Sequence, residues 1–440
     1  MFFLNEIHFT TVEDKFNNSK NIRISLRQLC VIVFCVFITC TKENNNSIVE
    51  IELEKNIHNF HNFKLSKLCD NIEYIALESN DSTIFERIHY IDITDNYILI
   101  YDTKQCFLFD RSGRFLRKIG RRGNGPGEYR SAGQPKILNN EVFIPDPIRN
   151  TLMIFDNLNN FKEEIKSLDC FTTQKFIENY FVLSDSTFLM QIPNQTGVQK
   201  NRIALINRNG NVLKKYANTT FFQRNKPVAT LIDYAANFYR YNGNIRYKEL
   251  LNDTIWQIEK EKLNPIYIIN RGKYGTPNYI RGLPVSKVGE RYQESIWIHK
   301  IFESNEYIIV KTSFMKNYPF DFYRNIGINE LKIQYEIIGL FNKQSGEFFF
   351  ITPTQIKDQI EPTGVENDID GGINFMPNYT VCDSLLLGWV NAFELKQFIS
   401  SKAFKLSNPK YPGKKKELKK LANSLDENDN PVLMIVKLKS

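Results

Sequence analysis

Short apolar runs separated by turns recur along the chain, and the 3.6-residue helical period is almost absent before residue 390. Residues 96–102 (NYILIYD) and 106–109 (CFLF) are β-rich runs. After the turn Asp110-Arg111-Ser112-Gly113 comes 114–119 (RFLRKI), so the two apolar runs flanking a Gly-ended turn predict a hairpin. The phrase returns at 152–156 (LMIFD) with 161–165, at 202–207 (RIALIN) with 212–216, and at 336–341 (EIIGLF) with 347–351. Each unit reads as strand, strand ending in Phe-Asp or an equivalent, Gly/Asn turn, strand.

Units near 85–130, 135–180, 184–240, 241–295, 300–355 and 368–399 have the length of propeller blades. One small sheet cannot bury both faces alone, so neighbouring blades must stack around an axis. The expected fold is all-β: a six-bladed β-propeller, with seven blades as the alternative. A lysine-rich C-terminal helix (KKKELKKLANSL) and a closing strand at 431–439 (PVLMIVKLK) follow it. Pairing of this strand with an N-terminal one, 48–53 or 72–77, would close the ring and remove an open sheet edge.

Composition supports a packed chain. Forty-two per cent of 440 residues are hydrophobic, which excludes wholesale disorder, and the 21 glycines and 16 prolines exclude collagen-like sequence. Seven cysteines without a CxxC pair exclude a disulfide scaffold and give no zinc or redox motif. The net charge of +8 comes with lysines clustered at 410–420, read as the solvated face of a terminal helix. No nucleic-acid-binding motif accompanies it, and nucleic acid is rejected as a partner.

Residues 29–39 (LCVIVFCVFIT) are apolar and follow Lys20, Arg23 and Arg27. Eleven residues at about 1.5 Å each span only about half of a ~30 Å hydrocarbon core, so this is the core of an export signal rather than a membrane span. The segment ending Phe37-Ile38-Thr39-Cys40 before a polar TKENNNS stretch resembles a bacterial lipoprotein signal. That resemblance implies lipidation at Cys40. The expected organisation is leader 1–39, lipidated tether 40–66, propeller 67–400, and basic helix with closing strand 401–440. The expected partner is the membrane, through the lipid anchor. The expected place is the cell envelope, as an outer-membrane lipoprotein facing the periplasm or the surface.

The phrases IEYIALE (72–78), FDRSGRFLRKIGRRGNGPGEY (109–129), DTIW (253–256), NDIDGG (367–372) and NPVLMIVKLK (430–439) together resemble the six-bladed β-propeller lipoproteins of Bacteroidota. The resemblance runs over essentially the whole chain after the leader and implies fold and location much more than activity.

Two loops carry candidate chemistry. The glycines of 120–127 free backbone N–H groups beside Arg121 and Arg122, so Arg121, Arg122, Glu128 and Tyr129 are ligand-binding candidates. The competing reading is a crossover between blades that Glu128 fixes by pairing with an arginine. Glu366, Asp368 and Asp370 precede Gly371 at a spacing that suits calcium, although Pro377 stands where an EF-hand needs a bidentate Glu. The competing reading is a carboxylate-bearing turn, and no other cofactor is expected. His58 and His61 read as a surface pair. Cys69, Cys106, Cys170 and Cys382 read as buried thiols, and Trp297, Trp389 and the tyrosines of 234–247 as an aromatic rim. No catalytic residue is assigned. The functional expectation is a binding or scaffolding module for a glycan, peptide or envelope protein. The alternative is a lyase or hydrolase at the channel mouth, using carboxylates such as Glu128, Asp368 and Asp370.

Overall fold

A computed structural model describes residues 48–166, 179–194, 197–223, 236–277, 295–314, 335–352, 355–356, 359–360, 364–381 and 383–439. Six antiparallel sheets form the six blades of a propeller. Blade 1 comprises Tyr90–Ile93, Tyr97–Tyr101, Cys106–Asp110 and Phe115–Ile119. Blades 2 and 3 begin with Lys136–Leu138 and Tyr180–Ser184. Blades 4 and 5 begin with Ala236–Tyr241 and Ile296–Glu303. Blade 6 is assembled from Tyr379–Val381, Leu385–Val390, the C-terminal Val432–Leu438 and the N-terminal Cys69–Ala76, in that order.

An apolar layer separates each blade from the next, as stacked sheets require. Leu99 and Leu108 of blade 1 pack with Val142 and Met153 of blade 2. Phe143 and Ile154 then pack with Phe188 and Met190 of blade 3. The layer between blades 6 and 1, with Leu387, Leu433, Ile98 and Phe109, completes the ring.

The recurring Asp/Asn turn has a local cause. In blade 1 the Asp110 carboxylate accepts from the N–H groups of Ser112 and Arg114, and Gly113 takes φ +88°. Asp156, Asn207 and Asn342 repeat the arrangement, with Asn159, Gly210 and Gly346 at positive φ. A side-chain oxygen thus satisfies the turn amides while a Gly or Asn accepts the left-handed conformation.

Gly113 also meets the neighbouring blade: a Cβ there would lie 2.2 Å from the Ala76 carbonyl oxygen. Gly346 has the same backbone need but nothing within 4 Å. Urea unfolding should therefore show Gly113→Ala losing roughly 2–3 kcal/mol and Gly346→Ala only about 1 kcal/mol. Equal losses would mean that the blade 1–blade 6 contact adds nothing to the backbone strain.

Closure uses one of the two expected N-terminal strands. Ile72 pairs with Val436 and Ala76 with Val432. Val49–Glu52 instead pairs in parallel with the outer strand of blade 4, Val49 opposite Tyr267. Phe60–His61 likewise pairs with the outer strand of blade 5. Residues 49–66, read from sequence as tether, thus run along the outer edges of blades 4 and 5, with Ile51, Leu53, Phe63 and Leu65 buried. Covering those edges protects strands that would otherwise invite pairing with other chains.

The helical segment begins earlier than the lysine-rich stretch. Helices α1 (Ala392–Ser400), α2 (Lys402–Leu406) and α3 (Pro412–Asn423) form one insertion between the second and third strands of blade 6. Leu395, Ile399, Phe404, Leu418 and Ala422 share a core with Phe63, Leu65 and Leu68. The sixth blade therefore ends its second strand at Val390, and the residues up to 399 that were counted with it are helical.

Candidate ligand-binding site in the axial channel

The first strands of all six blades surround a cavity of about 160 Å³ on the propeller axis. Asp92, Lys136, Tyr180, Asn237, Lys300 and Tyr379 reach it from blades 1 to 6 in turn. Consecutive residues of these innermost strands border it, 179–182 and 236–240 among them, so polar residues there need partners within the channel. Asp92 has them: its Oδ2 accepts from the Ile137 N–H at 2.9 Å, and Lys136 Nζ lies 3.4 Å from Oδ1. Tyr180 donates to the Phe143 carbonyl at 3.0 Å. Arg240, also on the cavity, has Asp383 at 4.0 Å.

Two groups stand apart. The Lys300 ammonium has no carboxylate or hydrogen-bond acceptor among the described residues; it lies 5.2 Å from the Tyr379 ring centroid, with Lys136 Nζ 5.3 Å from the same ring. Burial, followed by the charges of Lys136 and Lys311, lowers the Lys300 pKa to about 8. The Tyr379 hydroxyl is buried and has no hydrogen-bond partner among the described residues. Burial pushes its pKa up, aided by Tyr90 and Asp92.

Of the residues singled out from sequence, Arg121, Arg122, Glu128 and Tyr129 come together in the connection between blades 1 and 2. Arg121–Arg122 pairs in parallel with Glu128–Tyr129. Glu128 accepts from the Gly125 N–H at 2.7 Å and ion-pairs with Arg121 at 2.5 Å; the amide first, then the guanidinium, lower its pKa. Arg122 donates to the Arg130 carbonyl at 3.1 Å. Tyr129 is buried against Cys106 and Phe155. None of the four lines the axial cavity.

Glu366, Asp368 and Asp370 are not brought together. No group of three His, Cys, Asp or Glu side chains among the described residues is placed to hold a metal ion. Asp368 accepts from the N–H and hydroxyl of Ser66, and buried Asp370 accepts from Asn367 and the Gly372 N–H. Glu366 is exposed, and its carbonyl accepts from Leu65 N–H. The loop thereby joins the N-terminal belt to the helical insertion, where Lys410 and Tyr411 donate to the carbonyls of Asp368 and Ile369.

Trp297 is buried and Trp389 half-buried against the core between blades 6 and 1, so neither forms a rim. Tyr239 and Tyr247 are buried as well. His58 and His61 are exposed, and Cys69 and Cys106 are buried free thiols. Cys40, Cys170 and Cys382 lie outside the described residues.

Sequence reasoning missed a basic cluster beside the channel. Lys248 is buried, donating to the Glu249 carbonyl; burial, then Arg271, lower its pKa to about 7. His299 shares a 2.5 Å hydrogen bond with Ser313, and burial lowers its pKa to about 4, so it is neutral near pH 7. Because Lys248 binds its proton less tightly folded than unfolded, stability rises as pH climbs from about 7 toward 10. Urea melts at pH 9 should exceed those at pH 7 by an amount on the order of 1–2 kcal/mol from this residue. Lys248→Met should remove that gain, and an unchanged pH response in the variant would refute the assignment.

The ring of six blades around a polar axial cavity defines a six-bladed β-propeller. Within that class, residues 48–437 match the family described as Domain of unknown function (DUF4934), and the chain belongs to that family. No curated protein matches the sequence. Among solved structures, a Bacteroides fragilis protein named as exported is similar at TM-score 0.60 and 16% identity, covering 90% of this chain and 100% of its own. A DUF4221 family member from Bacteroides vulgatus is similar at TM-score 0.47 and 11% identity, over 84% of this chain and 97% of its own. At 16% identity the likeness to the Bacteroides fragilis protein is one of fold.

Proposed function

We propose that the protein is an exported envelope protein, lipidated at Cys40, whose propeller is a binding module with the axial cavity as its ligand site. The observation that carries the binding reading is the pair Lys300 and Tyr379. Two residues from different blades that line one cavity each carry a buried or half-buried polar group without a partner among the described residues. Leaving such groups unmet costs stability, and a bound ligand supplies what they lack. Glu128, Asp368 and Asp370, the carboxylates of the enzymatic alternative, each serve loop structure instead. Export rests on the leader of residues 1–39, with which the name of the Bacteroides fragilis neighbour agrees.

Two measurements test this. Feeding cells an alkyne fatty acid should label the wild-type chain, and Cys40→Ala should abolish the label; labelling of the variant would refute the anchor. Melting curves of the purified full chain in detergent, against polysaccharides and peptides, should show stabilisation by at least one of them, since a ligand at 100 times its Kd adds about 2.7 kcal/mol. A panel without any shift would argue against the binding reading.

A further inference from the structure

Charge accounting in the channel goes further than the existence of a site. Lys136 is matched by Asp92 and Arg240 by Asp383, whereas Lys300 faces the cavity with only Lys136 and Lys311 acting on it. The lining therefore carries one ammonium without a counter-charge among the described residues. Beside it stands a buried tyrosine hydroxyl with a free bond to donate. The volume, about 160 Å³, is close to that of a cavity of about 150 Å³ that holds benzene. A single six-membered ring fits within it.

We propose that the axial cavity takes a ring-sized ligand bearing a single carboxylate, held by an ion pair with Lys300 and a hydrogen bond from the Tyr379 hydroxyl. The inference rests on the reading of the cavity as the ligand site and adds the ligand's charge and size. A carboxylate suits the pair because it accepts from an ammonium and from a hydroxyl at once, and charge-assisted bonds in a dry site are the strong ones. Asn237 Oδ1 is already engaged by the Ile301 N–H, and Asp92 by Lys136 and Ile137. The remaining polar groups on the wall leave room for hydroxyl contacts without supplying a second cation. A ligand with two anionic groups would have to break the Lys136–Asp92 pair.

The test titrates the full chain in detergent with galacturonate, galactose and benzoate, reading Kd by calorimetry and the melting temperature in parallel. Galacturonate or benzoate should bind and raise the melting temperature by about 2 °C or more near saturation. Galactose should bind at least ~30-fold more weakly. Lys300→Met should weaken the acid at least ~30-fold while melting no lower than wild type without ligand. Tyr379→Phe should weaken it about 3- to 10-fold. Preference for galacturonate makes the ligand a sugar acid, and preference for benzoate an aromatic acid; both uphold the carboxylate. Equal binding of galactose, or full affinity in Lys300→Met, would overturn the inference and leave the binding module standing. No binding of either acid would also overturn it, and the polysaccharide and peptide melts would then decide the module by themselves.

Discussion

Val436→Asp should abolish cooperative folding. Val436 lies in the middle of the closing strand, fully buried, paired with Ile72 on one side and Leu386 on the other. Its side chain belongs to the core shared by blades 5 and 6, the N-terminal belt and the helical insertion. An aspartate there removes an apolar contact and buries a carboxylate with no cation beside it, each costing several kcal/mol. Together they approach the whole stability of a typical domain, about 5–15 kcal/mol. The site is also where the two ends of the chain meet, so the loss opens the ring and exposes strand edges on both sides. Far-UV circular dichroism and urea melts of the soluble fraction would show a broad, non-cooperative transition or no soluble protein. Lys437→Asp is the control: the neighbouring residue is exposed, and the same new charge there should change stability by about 0.5 kcal/mol or less. Wild-type-like melting of Val436→Asp would mean that the terminal strand is not part of the closed ring.

The blade count and the closing strand were legible because hairpin turns announce themselves. Asp110, Asp156, Asn207 and Asn342 each begin a turn whose residue types are dictated by backbone conformation, so the repeat is written locally. The first strands were harder. Ala236–Tyr241 (ANFYRY) and Tyr180–Ser184 lack clean alternation because both faces of each meet a neighbouring blade while the edge meets the channel: Tyr180 and Phe181 pack toward opposite blades, as do Phe238 and Tyr239. Blade boundaries consequently slipped: the strand at 180–184 was cut, with 180 closing the second unit and 184 opening the third, and 236–240 was assigned to the third.

The binding site was not legible for a related reason. Lys136, Lys300 and Tyr379 are single residues on three strands, and only ring closure brings them together. The signals that stood out in sequence, the glycines of 120–127 and the carboxylates of 366–370, report backbone demands. Gly120 and Gly127 have positive φ, and a Cβ at Gly371, with φ +72°, would also lie 2.4 Å from Ser407 Oγ. Glycine-rich stretches mark tight chain paths first, and ligand contact only where free donors remain after the loop has satisfied itself.

Glu303→Ala should lose roughly 3–5 kcal/mol, because its carboxylate joins a buried guanidinium and a half-buried ammonium across a blade boundary. Glu303 is on the first strand of blade 5 with its side chain fully buried. Lys343 Nζ of the same blade is 2.8 Å from Oε1; from blade 4, Arg246 Nε is 3.4 Å and the Tyr239 hydroxyl 3.1 Å from Oε2. Truncation leaves an ammonium and a guanidinium facing each other with the tyrosine hydroxyl unmet. Glu303→Gln keeps the shape and one acceptor but loses the charge, so its loss should be about half as large. The triple variant Glu303→Leu, Arg246→Met, Lys343→Met removes all three charges together and should recover much of the stability, since the penalty comes from unpaired charge rather than lost attraction. Urea melts of the three variants separate these cases. A Glu303→Ala loss below about 1 kcal/mol would mean that water reaches the cluster and screens it. The same strand carries Lys300 three residues earlier, so loosening it should weaken carboxylate binding even though Glu303 touches no ligand. An Ala variant that is destabilised yet binds with full affinity would uncouple the blade joint from the site.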